Sequence, residues 1–237
     1  MKKIAIILSL LMIGATFAGC KGGNIDNLKD LSKSKNNEVY LLEDNSFVPF
    51  LVLDKRDGMV LLLRKEVMDN PICFSDYSSE YEDSIIDNYL SNDYIEMLSD
   101  NVRKLIQTID IEVTSKNALY QAGKDTHTIL RKVFLLSYHE ANYSEHSMAP
   151  NEGEPFSFFT NDQSRIAYKN GRPCSWWLRT PYTGYDSVTW SVGGDGVKTE
   201  LSSSKENGLR PAFYMSGDIQ LKDSTQIIAG KKVFVIE

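Results

Sequence analysis

Apolar residues recur with period two along the C-terminal half of the chain. Trp176 and Leu178 fall on one side of an extended segment, with Trp177 and Arg179 on the other. Val188, Trp190 and Val192 alternate with Thr189 and Ser191, which predicts a strand with one buried face. Gly193-Gly194-Asp195-Gly196 reads as a turn, because Gly supplies positive φ without a steric penalty. Leu209, Ala212, Phe213, Tyr214 and Met215 form a further apolar run, and Pro211 implies an irregular or edge start. The expectation is three short strands folded back on one another between Cys174 and Met215, where the densest core should lie.

Upstream, residues 39–42 and 47–53 are apolar runs of strand length, and Lys55-Arg56-Asp57-Gly58 turns into a third run at 59–63. The period changes at 84–90 and 93–109. Ile85, Ile86, Tyr89 and Leu90 share one helical face; Tyr94, Met97, Leu98, Val102, Leu105 and Ile109 stripe a second. Residues 111–114 return to extended chain, 117–128 are polar and read as an insertion loop, and 133–136 as a short buried strand. Ser137-x-x-Glu140 has the spacing of a capping box for the turn that follows.

The N-terminus differs from the rest. Two Lys precede an apolar stretch from Ile4 to Phe17, then Ala18-Gly19-Cys20, the layout of an export signal. Cys after Ala-Gly resembles the lipobox of bacterial lipoproteins, which implies cleavage after residue 19 and acylation of Cys20. Residues 20–37 hold few apolar side chains and read as a flexible tether, with a short surface helix through Ile25, Leu28 and Leu31 as the alternative. Residues 38–237 then form one globular domain, and 42% hydrophobic residues suffice for its core. A formal charge of -6 without a basic cluster argues against a nucleic-acid partner, since phosphates need Lys and Arg.

No catalytic or metal-ligating spacing stands out. His127, His139 and His146 form no metal motif, and Ser137 near His139 reads as a cap in preference to a nucleophile. Glu80, Glu82 and Asp83 suit a solvated helix start, and residues 150–155 (PNEGEP) a solvated turn in preference to a calcium loop. No cofactor or metal is expected. Cys73 and Cys174 are either a disulfide or two buried thiols. Arg179 and Arg210, both in apolar context, are expected to be buried and paired, with Asp69, Glu140 or carbonyls as candidate partners.

The pairing of WWLRTP (176–181) with GLRPA (208–212) resembles the W-L-R-S-P … G-V-R-P-A signature of a bacterial surface domain family. Segments 57–69, 84–98 and 133–141 resemble that family's lead-in, so the likeness runs from about Val39 to Met215. Trp176, Arg179, Pro181, Trp190, Gly208, Arg210 and Pro211 form the structural signature. The resemblance implies an α+β, C-type-lectin-like domain with short antiparallel strands and two or three helices, akin to the formylglycine-generating, sulfatase-modifying enzymes. The expected protein is a surface lipoprotein anchored to the outer face of the bacterial cell membrane, binding a glycan or a protein. A sulfatase-modifying-type enzyme and a structural envelope protein are the alternatives. Binding is expected on loops 182–186 and 193–198, through Tyr182, Tyr185, Asp186 and Asp195, with Trp177 as a platform.

Overall fold

The computed structural model describes residues 25–31 and 37–237. The expected signal segment 1–19, the lipid-attachment Cys20 and positions 21–24 and 32–36 of the expected tether lie outside the described residues.

Strands β1 (Glu38–Glu43), β2 (Ser46–Arg56) and β3 (Met59–Arg64) are joined by two-residue turns. In the second turn Asp57 and Gly58 take φ of 49° and 79°, the pair of positive values that a tight hairpin requires. Shorter strands follow: β4 (Ile72–Cys73), β5 (Ile109–Thr114), β6 (Thr126–Arg131), β7 (Ala167–Lys169) and β8 (Arg172–Cys174). The signature region supplies β9 (Trp176–Pro181), β10 (Val188–Val192), β11 (Lys198–Ser202), β12 (Glu206–Asn207) and β13 (Ala212–Ser216). Strands β14 (Thr225–Ile228) and β15 (Lys231–Ile236) come last.

These assemble into a six-stranded sheet of order β13-β3-β2-β1-β15-β14, a three-stranded sheet β11-β10-β9 and three two-stranded pairs. Every pairing of named strands is antiparallel except β1 with β15. With 40% strand against 16% helix, the fold is mixed α and β and dominated by antiparallel sheet. Val60, Leu61, Leu62 and Leu63 of β3 are all fully buried, so this strand has core on both faces. That explains a continuous apolar run where a half-exposed strand would alternate.

The third strand of the signature sheet is not the expected one. β10 pairs with β9 and β11, whereas the 212–216 run pairs with β3, from Ala212 opposite Leu63 to Ser216 opposite Met59. Only that position satisfies a strand buried along four of its five residues, because the solvent edge beside β10 would expose it. The polar stretch 117–128 is not a loop either. Ser115 accepts from Ala118 N and caps a helix at Lys116–Gln121, and β6 then pairs with β5. Its polar character reflects an exposed helix face.

The helical stretch from 85 runs through Ile85–Asn88, a π-helical Tyr89–Tyr94 and Ile95–Met97, then stops at an extended Leu98. Ser99 caps a separate helix at Asp100–Leu105, and Ile109 already belongs to β5. Residues 133–136 are buried but form no strand; Phe134 makes an isolated bridge to Ala212. The Leu28–Leu31 segment, expected within a flexible tether, is a helical turn docked on the domain. Leu28 N donates to Ile219 O at 2.9 Å, Lys29 N to Gly217 O at 3.0 Å, and Leu28 and Leu31 are fully buried. Two buried Leu offset the entropy of ordering a segment that is otherwise polar. Among the described residues, no helix is long and apolar enough to cross a membrane.

Candidate functional site

The signature residues build a frame in which every large side chain is buried. Trp176, Trp177 and Trp190 are closed from solvent, and their indole N–H groups donate to the carbonyls of Arg165, Ile72 and Met148 at 3.1, 2.9 and 3.2 Å. Pro181, Gly208 and Pro211 are buried as well. Trp177 is therefore no platform: Phe74 lies edge-on to it at 5.6 Å, so it presents no ring face to a ligand. Gly208 is glycine because the chain passes too close for a side chain. A Cβ there would sit 2.3 Å from Val67 Cγ1 and 2.6 Å from Ser175 O.

Arg179 ties four segments together. Its guanidinium forks onto Glu140 at 2.6 and 2.9 Å and donates to the carbonyls of Leu135 and Glu112 at 2.8 and 2.9 Å. Glu152 lies 3.5 Å from Arg179 Nε. Burial works against the Arg179 charge, but Glu140 and then Glu152 more than offset it and hold its pKa above the ordinary value. The 150–155 segment is thus no solvated turn, for Glu152 is fully buried. Its carboxylate accepts from Thr114 N, Thr114 Oγ1 and Thr180 Oγ1 at 2.6 to 2.7 Å, which replaces the lost water. Desolvation still dominates and pushes its pKa up. Ser137 and Glu140 form both halves of a capping box, at 2.9 and 3.0 Å, so the Ser137 hydroxyl is a cap.

Arg210 is buried but not paired as expected. Its Nε donates to Arg64 O at 3.0 Å and its guanidinium lies 4.8 Å over the Trp176 ring. Nη1 is buried without a hydrogen-bond partner, and Arg210 joins no ion pair among the described residues. Its neighbour Arg64 pairs with Glu43, which also accepts from Tyr94 Oη. Burial first, and the Arg64 charge second, push the Arg210 pKa down to about 9. Cys73 and Cys174 are free thiols.

The two loops expected to bind together are held apart. Residues 182–187 join β9 to β10 and 193–197 join β10 to β11, so they leave opposite ends of the five-residue β10. At about 3.4 Å per residue, Asp195 is some 17 Å from the Tyr182–Asp186 turn. Asp195 acts locally, accepting from Val197 N at 3.1 Å.

The 182–187 turn instead gathers distant residues. Gly184 N donates to Leu119 O at 2.7 Å, Ser79 N donates to Asp186 O at 2.7 Å, and Lys116 meets Glu80 at 3.5 Å. Three exposed tyrosines stand within two residues of these contacts: Tyr77 (87% exposed), Tyr120 (52%) and Tyr185 (57%). Half-buried Tyr182 links Tyr185 (5.3 Å between ring centroids) to the core Trp190 (4.9 Å), so the surface rings rest on a packed column. Asp186 is exposed beside them. Tyr77 and Tyr120 carry no periodic signal and escape a reading of sequence alone.

Among the described residues, no group of three or more His, Cys, Asp or Glu could hold a metal ion. No curated protein and no solved structure matches the chain. Residues 57–217 match the family described as Domain of unknown function (DUF6273), and with about two thirds of its length covered the chain belongs to that family.

Proposed function

We propose that this chain is an exported, lipid-anchored surface protein whose domain, built on a C-type-lectin-like frame, binds a glycan through the Tyr77–Tyr120–Tyr185 surface. The observation that carries the reading is that the 182–187 turn meets the segments at Ser79 and Leu119, each of the three bearing an exposed tyrosine. Exposed aromatic faces cost solvation and side-chain order unless a ligand uses them. Pyranose rings stack on such faces while their hydroxyls reach polar groups, here those of Asp186, Glu80 and Lys116. The pairing of β1 with β15 brings the two ends of the domain together in one sheet, which fits a tethered module presenting its loops outward.

A glycan array with the wild type and a Tyr77→Ala, Tyr185→Ala variant tests this. Binding that weakens about tenfold or more in a variant with unchanged melting supports the tyrosine surface. Glycan binding unchanged in that variant places the site elsewhere, and no glycan binding at all refutes the ligand class.

A further inference from the structure

A second site, independent of the tyrosine surface, lies between the β2–β3 turn and β5. A groove of about 560 Å³, within the range of small-molecule sites, is lined by four carboxylates, Asp57, Asp110, Glu112 and Glu154. None of these four carboxylates joins an ion pair among the described residues, and Arg56 is the groove's one exposed cation. Glu140 also reaches the groove, but Arg179 neutralises it from beneath.

The floor is aromatic. Phe134 and Tyr214 stack with ring centroids 6.3 Å apart and 24° between planes. Tyr214 is 6% exposed, lines the groove, and its hydroxyl has no hydrogen-bond partner among the described residues. Burial, then the charge of Glu140, push its pKa up to about 12, so it enters the groove as a neutral phenol with a free oxygen lone pair. The Tyr214 oxygen is not a closed-off orphan: it opens into the groove, where a ligand donor can take the place of water.

We propose that this groove binds an oligoamine, its primary ammonium groups paired with the rim carboxylates and its alkyl chain lying over the Phe134–Tyr214 floor. Unpaired charge of one sign in a cleft with low-dielectric walls concentrates counter-ions of the other. A metal ion does not fit, because no three carboxylates converge on one point. The chemistry is that of a free polyamine or of adjacent Lys side chains on a peptide, and the rim would serve either.

Calorimetric titration with spermidine and with trilysine tests the proposal, with citrate as the anionic control. The expected result is binding of at least one cationic probe and none of citrate, weakening as salt is raised. Asp110→Asn with Glu154→Gln should weaken it about tenfold, and Tyr214→Phe about three- to tenfold, without lowering the melting temperature. Spermidine binding alone identifies a free polyamine, and trilysine binding alone a peptide. Absence of binding by both probes overturns the proposal. So does binding that the carboxylate variant leaves unchanged, and that variant alters only exposed side chains should Tyr214→Phe disturb the core.

Discussion

Arg179 and Arg210 are both buried arginines of one signature, yet their environments predict opposite outcomes on replacement by Met. Arg179→Met removes four hydrogen bonds, two of them to Glu140, and leaves that carboxylate with Ser137 N as its remaining donor among the described residues. Breaking a buried ion pair from one side costs about 3–5 kcal/mol, because the other charge stays uncompensated. For a domain of this size that is a fall of about 6–20 °C in Tm. Arg210→Met loses one hydrogen bond, worth about 1 kcal/mol, and a cation–π contact of about 0.5–2 kcal/mol. It also removes an unpaired buried charge, whose desolvation costs several kcal/mol. A base whose folded pKa is lowered costs stability at every pH below that pKa, and the cost fades as pH rises toward the unfolded value. At neutral pH Arg210 therefore carries its full cost, and its loss should move Tm by no more than about 4 °C in either direction. Thermal melting of both variants by circular dichroism at pH 7 is the assay. If Arg210→Met falls as far as Arg179→Met, or Arg179→Met melts like the wild type, the distinction between paired and unpaired guanidinium is wrong.

Glu152 makes a pH-dependent prediction. Its folded pKa is raised, so the folded state binds the proton more tightly, and the group's contribution falls as pH rises above its ordinary 4.5. Wild type should therefore gain Tm relative to Glu152→Gln as pH drops from about 7 to 5, and parallel curves would contradict the assignment. Leu28→Ala should cost about 2–5 kcal/mol, because Leu28 is fully buried in the docked turn; a variant with unchanged urea midpoint would mean the turn is not packed. Cys20→Ala should abolish labelling by a fatty-acid analogue and release the protein from the membrane fraction, whereas equal labelling of both proteins would exclude Cys20 as the acylated residue.

Local signals carried well. Asp57-Gly58 makes its hairpin because two positive φ values depend on the residues at the turn alone. The Ser137–Glu140 box forms because its partners are three residues apart. The β9 and β10 spans are legible in the sequence, and so is the burial of Arg179 from its apolar flanks. The single buried face that alternation implies for β10 is not found, since Thr189 and Ser191 are buried as fully as Trp190. Distant choices were not legible, since each depends on which segments meet. The apolar run shows that 212–216 is a strand but not that β3 is its neighbour. Nor does alternation show that the turns at Tyr185 and Asp195 leave β10 at opposite ends, which follows only from antiparallel pairing on both sides. Glu152 looks solvated in PNEGEP until Thr114, Thr180 and Arg179 close around it. Arg210 looks like Arg179 in sequence, yet among the described residues no carboxylate pairs with it and the Arg64 charge acts against it. The sequence by itself determined the short-range geometry, where the energy lies between near neighbours. Tertiary structure decided the partner of each charge and the company of each exposed ring, because those energies depend on contacts between residues tens to more than a hundred positions apart.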